Sequence, residues 1–461
     1  MTEITTQKVS GAFAEIGHLF RLALPLMGAQ LAQMGMGVAD AIMAGQYDSV
    51  DLAGVALGGS VMWPTMMLMM GLIQAVTPTV AQLRGSGEFG EIGEVIRQGL
   101  WMALCGGLLA SFILNHIGIA YTWMDVDPRA SAVSIPYLRM CSFGIPALMC
   151  FFCLRFLADG MGFTRPALLI AICALLLKIP LNYVLIYGMF GLPEMGGVGC
   201  GVAQAIIMWF QLLLIILIVT RRRFDVTGWR SRISMPDYKR IGALLILGVP
   251  IGLSIFAEMG LFAFTTLLLG RFGAEVVASH NIAMNINGLL FMTPMALGMA
   301  STIRIGHRIG AGDIAEARTT AAIALLATLV IALLSSIFIF FFREVLVSFY
   351  TTDPEVMHLS VTLLLFVVFF LMFDATQTTA MGALRGYKDT RVPMYIALFS
   401  YWLIGLPLGA TLGFGWITRP MEVYGFWIGL AAGVGTAAGL LTWRLVWLSA
   451  HYRALNRAAT T

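Results

Sequence analysis

The stretch LPLMGAQLAQMG, at residues 24–35, decides the fold because it returns 225 residues later as VPIGLSIFAEMG, at residues 249–260. Both copies have proline in second place and end on Met-Gly. At the same spacing, LRGSGE (83–88) corresponds to RIGAGD (308–313). A constant long-range spacing predicts an internal repeat, so we expect the 461 residues to form two similar halves.

The composition is that of a membrane protein. Hydrophobic residues make up 59% of the chain and charged residues only 11%, and the mean hydropathy is +0.87. Apolar runs of about 20 residues, long enough to cross ~30 Å of hydrocarbon, recur along the chain. Only helices satisfy the backbone of runs this long. We predict twelve spans, near residues 17–44, 52–82, 94–118, 133–157, 165–188, 196–220, 241–269, 278–305, 318–342, 357–384, 392–413 and 422–448.

The predicted fold is therefore an all-α integral membrane protein with 12 transmembrane helices in two six-helix lobes. Because six is even, both halves start on the same side of the membrane, and the repeat is parallel, with a pseudo-two-fold axis along the membrane normal. We predict an N-lobe over residues 1–220, a cytoplasmic linker over 221–240 and a C-lobe over 241–461. Two such lobes would enclose a central cleft.

The basic residues indicate the orientation. Of the 28 Lys and Arg residues, 22 fall on the side of the N-terminus, and the opposite side has only Arg129, Arg139, Arg271, Arg343 and Arg419. Cytoplasmic loops carry this excess, so both termini are expected in the cytoplasm and the protein in the inner (plasma) membrane, crossing it many times. The net charge of +4 then reflects topology, and no nucleic-acid partner is expected. A nucleic-acid or lipid-binding patch is the alternative for the basic linker.

Three acids at membrane depth are present in one half only: Asp40, Glu258 and Asp374. An intramembrane carboxylate is costly and usually marks an ion or substrate path. A need of the scaffold would be met in both halves, so these unmatched acids are candidates for function. The alternative is an acid neutralised by a structural partner. The repeat places uncharged residues at the matching positions, namely Thr265, Gln33 and Leu148.

Lys178 is the only cation well inside a span. Two interpretations stay open: it pairs with Asp40, which offsets the desolvation of both charges, or it extends towards an interface. Asn182 lies one turn further on and projects from the same helical face.

Two further acids, Asp127 and Asp353, match across the repeat and each precedes a proline. This pattern predicts helix N-caps at outer loops. A substrate contact is the alternative for Asp353. We therefore keep Asp353 and Asn281 as candidate substrate-binding residues beside the three unmatched acids.

Three segments carry a resemblance to a known family: LALPLMGAQLAQMGMGVADAIMAGQ (22–46), LNYVLIYGMFGLPEMGGVGCGVA (181–203) and GALRGYKDTRVPM (382–394). They resemble the NorM-type branch of the multidrug and toxic compound extrusion (MATE) family. The resemblance extends over essentially the whole chain and implies twelve helices in two lobes. It also implies export of cationic, often aromatic drugs and dyes in exchange for Na⁺ or H⁺.

On that resemblance, the family's intramembrane acids fall on Asp40, Glu258 and Asp374, and an asparagine of its fifth span falls on Asn182. Two positions differ from some Na⁺-coupled relatives, which have asparagine in place of Lys178 and tyrosine in place of Phe370. A lysine repels Na⁺ and a phenylalanine offers no oxygen, so H⁺ is the favoured coupling ion. Na⁺ bound at Glu258 and Asp374 is the alternative.

The expected mechanism is competition for a carboxylate. Burial in an apolar cleft favours the protonated carboxyl, whereas a bound organic cation favours the ionised form, so proton and drug exclude one another. No cofactor and no resident metal are expected, and the partners are cationic drugs and membrane lipids, with the protein a monomer. A lipid-linked precursor flippase is the alternative function, although its cleft would need several cations; a channel would not need the two-lobe repeat. We expect no enzyme activity, because HExxH, GxSxG and P-loop motifs are absent and the histidines are scattered.

Overall fold

The computed structural model describes residues 2–123, 127–232, 234–417 and 419–460, and within these ranges the side chains of residues 13–452. Of the basic residues that set the predicted orientation, Lys8, Arg453 and Arg457 lie outside the described side chains. Sixteen α-helices form the described chain: α1 Thr2–Tyr47, α2 Ser49–Ile73, α3 Val76–Ser86, α4 Phe89–Asn115, α5 Ile117–Trp123, α6 Pro128–Ser142, α7 Ile145–Gly160, α8 Arg165–Ile186, α9 Gly197–Val219, α10 Tyr238–Leu269, α11 Ala274–Gly310, α12 Ile314–Ser348, α13 Pro354–Gly386, α14 Arg391–Leu398, α15 Leu406–Phe414 and α16 Glu422–Thr460.

The predicted all-helical membrane fold is confirmed. Eleven helical segments of the described chain are long and apolar enough to cross a membrane, and counting the bent pair α6–α7 as one span brings the number to twelve. Short 3-10 turns Met189–Gly191, Arg222–Thr227 and Gly270–Phe272 lie between helices, and a π-helical turn, Phe399–Gly405, joins α14 to α15.

The span predicted near 133–157 is present but bent. It consists of α6 and α7, and the chain bends by 49° between them. Pro146, the second residue of α7, has no amide hydrogen to continue the helical bonding. Gly144 lies so close to α9 that a Cβ there would collide with Met208 and Ala205. The repeat places Met372 opposite Pro146, and α13 runs unbroken through that position.

Contacts divide the chain into two compact units, here called the N-unit, Gly28–Gly252, and the C-unit, which joins Met1–Met27 to Leu253–Thr461. Each has its own buried apolar core. That of the N-unit includes Ile92, Ile96, Leu138, Leu154 and Ile170, and that of the C-unit includes Leu364, Val367, Phe370, Trp427 and Leu441. The lobe boundaries at residues 220 and 241 stay a prediction.

Small residues let helices of the C-unit approach closely. A Cβ on Gly382 of α13 would collide with the backbone carbonyl of Gly298 on α11. One turn from this contact, the Thr302 hydroxyl donates a hydrogen bond to the Gly382 carbonyl oxygen over 2.7 Å. Glycine contacts of this kind are typical of membrane helices, where van der Waals packing replaces the hydrophobic driving force. They fix α13, which carries Asp374, firmly against α11.

Candidate functional site: two buried carboxylate clusters

The first cluster, which we call the Asp40 cluster, lies inside the N-unit. Lys178 Nζ is 2.8 Å from Asp40 Oδ2, and Asn182 Nδ2 donates to Asp40 Oδ1 over 2.7 Å. The ammonium also donates to Gln204 Oε1. Helices α1, α8 and α9 thus each contribute to one hydrogen-bonded group.

The sequence anticipated most of this arrangement. Lys178 and Asn182 are four residues apart on α8, so one helical face presents both to α1. The predicted Lys178–Asp40 pair is confirmed, and the alternative of an extended lysine is wrong, because only 1% of the Lys178 side chain is exposed. Gln204 was missed. Its only signal in the sequence is that it interrupts an otherwise apolar stretch of α9.

The charges of the Asp40 cluster balance. One carboxylate and one ammonium are held in direct contact, which compensates for the water that both lose on burial. Because of this ion pair, Asp40 needs no additional cation for charge balance. One hydrogen-bond acceptor of the cluster is left over: Asn182 Oδ1 is buried and has no hydrogen-bond partner among the described residues.

The second cluster, here the acid-pair cluster, lies inside the C-unit. Gln377 Nε2 donates to Glu258 Oε1 over 2.8 Å and to Asp374 Oδ1 over 3.1 Å. Tyr401 in turn donates its hydroxyl hydrogen to Gln377 Oε1 over 2.7 Å. Asp374, Gln377 and Tyr401 are all almost completely buried. One amide group therefore joins two carboxyl groups that are 116 positions apart in the chain.

Two further residues belong to the surroundings of the acid pair. Arg385, three turns after Asp374 on α13, acts on Glu258 through its charge, and the Asn287 side chain of α11 lies next to Asp374. Asn287 Oδ1 is buried and has no hydrogen-bond partner among the described residues. With both acids ionised, Glu258, Asp374 and Arg385 together carry one uncompensated negative charge.

Phe370 lies one turn before Asp374 and is fully buried. Its ring packs edge-on against Phe262 and Trp427, with centroids 6.2 and 6.0 Å apart. Such aromatic packing fills space next to the acid pair but supplies no oxygen ligand.

The remaining candidates lie elsewhere. Asp353 is exposed at the start of α13, where Oδ1 accepts hydrogen bonds from the backbone of Glu355 (2.9 Å) and Val356 (3.3 Å). Asp127 accepts in the same way from the backbone of Arg129, at 2.8 Å. Both predicted N-caps are confirmed. Asn281 is exposed on α11. A substrate contact for Asp353 or Asn281 stays a prediction.

A small pocket lies in the N-unit beside the Asp40 cluster. Gln204 connects the two, because it lines the cavity and also accepts from Lys178. Methionine side chains are flexible and polarisable, so their walls adapt to apolar ligands of different shape. The cavity is lined by Gln33, Met62, Trp63, Met66, Met67, Met70, Leu148, Phe152, Gln204 and Met208.

These features define the class: a polytopic helical membrane protein with carboxylates held inside its spans. In sequence, the chain is 42% identical to the multidrug resistance protein PmpM of Pseudomonas aeruginosa over 435 residues, which cover 94% of this chain and 91% of PmpM. It is 40% identical to the multidrug resistance protein MdtK of Yersinia pseudotuberculosis serotype O:1b over 450 residues, 96% of this chain and 98% of MdtK. In fold, it resembles the crystal structure of the eukaryotic MATE transporter AtDTX14, with a TM-score of 0.86 at 21% identity, over 95% of this chain and 96% of that one.

The family model MatE matches the chain twice, at residues 25–184 and at residues 250–411. The chain belongs to the MatE family, and the resemblance seen in the sequence is confirmed. The two matches begin 225 residues apart, which is the spacing of the internal repeat.

Proposed function

We propose that the protein is a secondary multidrug efflux transporter that exports cationic, often aromatic drugs and dyes by antiport with H⁺. The relatives at 40% identity and above are named multidrug resistance proteins. The proposal places the chain in the inner membrane as a monomer among lipids, with both termini cytoplasmic.

The observation that carries the proposal is the uncompensated charge of the acid-pair cluster. Glu258 and Asp374 share one neutral amide, and the positive charge of Arg385 offsets only one of them. Like charges in a medium of low dielectric repel strongly. One proton or one cation therefore stabilises the cluster, and an exchange of the two is the chemistry of an antiporter.

The Asp40 cluster supports H⁺ over Na⁺ as the coupling ion. Lys178 already supplies a positive charge to Asp40 at 2.8 Å, so Na⁺ would have to displace or face an ammonium group. Phe370 supplies no oxygen near Asp374. Coordination of Na⁺ needs several oxygens, whereas a proton needs only one carboxylate, so the acid pair suits H⁺ better.

In this mechanism proton and drug compete. A protonated acid pair loses its net negative charge and with it the attraction for an organic cation, and a bound cation excludes the proton. The Met-rich cavity of the N-unit offers apolar contacts for the aromatic part of a drug. Transport follows if each ligand has a different affinity for the inward-open and the outward-open states, because a ligand shifts such an equilibrium only by that difference.

An ion-swap assay tests the proposal. Purified protein in proteoliposomes is loaded with ethidium, a cationic aromatic dye, and either a pH gradient or a Na⁺ gradient is imposed. We expect the pH gradient alone to drive dye movement, and dye movement to move protons in return. A response to Na⁺ and not to pH would overturn the proton assignment, and dye leakage without either gradient would indicate a channel.

A further inference from the structure

We propose that Gln377 and Tyr401 are positioning residues that set the spacing and the charge balance of the acid pair; the inference rests on the proposed function. Neither side chain is acidic, and neither was singled out by the sequence. Their role follows from three contacts inside the C-unit: those of the Gln377 amide nitrogen with Glu258 and Asp374, and that of its oxygen with Tyr401.

The direction of the Gln377 amide is fixed by its partners. A glutamine side chain has a donor end and an acceptor end, and only the donor end stabilises a carboxylate. Because Tyr401 donates to Gln377 Oε1, the oxygen end is occupied and the NH₂ group is turned towards the two acids. In the flipped orientation, Oε1 would face the carboxylate oxygens of Glu258 and Asp374 and repel them.

Tyr401 reaches the acid-pair cluster from a π-helical turn. Tyr401 lies in the π-helical turn Phe399–Gly405 between α14 and α15. Pro407, at the start of α15, has no amide hydrogen for regular helical bonding with the preceding turn. π-Helical turns inside α-helices are frequent at functional sites because they turn a side chain out of the regular register. Here the turn places the fully buried Tyr401 hydroxyl 2.7 Å from Gln377.

The Gln377 amide nitrogen bridges the two acids, Glu258 and Asp374. Nε2 gives one hydrogen bond to each carboxyl group, so both oxygens are drawn to the same nitrogen. Hydrogen bonds to an ionised group favour the ionised state. The groups that act on the pair are Gln377 from α13, Asn287 from α11 and Arg385 through its charge. Gln377 touches both acids, so it couples the proton state of one to that of the other.

Carbodiimide labelling tests the inference on the full-length protein without any transport. Dicyclohexylcarbodiimide reacts with protonated carboxyl groups in apolar surroundings, and mass spectrometry measures the labelled fraction of Glu258 and Asp374 as a function of pH. Tyr401→Phe removes one hydroxyl and keeps the ring. Gln377→Leu removes the bridge. Thr379→Val is the matched control, because Thr379 lies on α13 like Gln377 and donates a buried 2.9 Å hydrogen bond to Thr328 of α12, but does not belong to the acid-pair cluster.

We expect Gln377→Leu to raise the labelled fraction of the two acids roughly tenfold at the pH where the wild type is weakly labelled, since a hydrogen bond to a charged group is lost. Tyr401→Phe should shift the labelling curve in the same direction by a smaller amount, because the bridge remains but is free to flip. The inference would be overturned if the labelling curves of both variants coincided with that of the wild type. It would also be overturned if Thr379→Val shifted the labelling curve by an equal amount.

The outcome is separable from that of the proposed function. If the wild type shows no exchange of dye for protons while the labelling contrast is present, the proposed function fails and the positioning role stands. If the wild type exchanges dye for protons and the labelling curves coincide, only the positioning role fails. Tyr401→Phe should also move the pH optimum of dye export in proteoliposomes, which a merely structural role would leave in place.

Discussion

Removal of the Lys178 ammonium is the most direct test of the Asp40 cluster. In Lys178→Ala, the Asp40 carboxylate keeps the hydrogen bond from Asn182 but loses the ammonium 2.8 Å away. Breaking a buried ion pair by removal of one partner costs about 3–5 kcal/mol, because a buried charge is left uncompensated. Each kcal/mol corresponds to about 2–4 °C in the melting temperature of a unit of this size, so we expect a fall of about 6–20 °C.

The assay is thermal unfolding of the purified protein, followed by tryptophan fluorescence. The double variant Lys178→Ala/Asp40→Asn removes the charge together with its partner, and we expect it to regain most of the lost melting temperature. Lys239→Ala, at an exposed lysine of α10, is the control and should change the free energy of unfolding by less than about 0.5 kcal/mol. A single variant that melts with the wild type, or a double variant no better than the single one, would refute the reasoning.

Three other predictions concern the acid pair, the N-cap of α13 and the contact between α11 and α13. Asp374→Asn and Glu258→Gln should each abolish dye export from proteoliposomes while the protein still inserts, because the acid pair loses a carboxylate; export at the wild-type rate in both would remove these acids from the mechanism. Asp353→Ala should cost about 0.5–2 kcal/mol in the free energy of unfolding through the lost N-cap and leave export intact, and loss of export with an unchanged melting temperature would favour a substrate role. Gly382→Ala should destabilise the protein by about 1–3 kcal/mol through collision with the Gly298 carbonyl; the control is Gly439→Ala, where no atom lies within 4 Å of the new Cβ.

The N-caps and the membrane spans are features that local sequence patterns predict. Asp127 and Asp353 were predictable because a cap needs only the chain within three residues of it, and both side chains accept the expected backbone hydrogen bonds. Span limits follow from composition over about 20 residues, so the predicted spans overlap the observed helices throughout. The bend at Pro146 had a signal in the sequence, because its repeat counterpart is Met372 and not a proline. A proline inside a membrane span, however, does not by itself produce a bend. Helix α10 contains Pro250 without a break.

The sequence by itself determined that the protein is a helical membrane protein with an internal repeat, and it identified the acids Asp40, Glu258 and Asp374, because hydropathy, repetition and a charge in an apolar run are properties of the chain alone. Only the tertiary structure decided which groups surround those acids. Gln204, Gln377 and Tyr401 are uncharged and common in type, and the only local signal among them is that Gln204 interrupts an apolar stretch of α9. Their roles arise from contacts between helices that are distant in the chain, and such contacts depend on how each helix is rotated and packed. That packing pairs the Asp40 carboxylate with the Lys178 ammonium. It brings Glu258 and Asp374 together around one amide, where Arg385 can offset only one of the two charges when both acids are ionised.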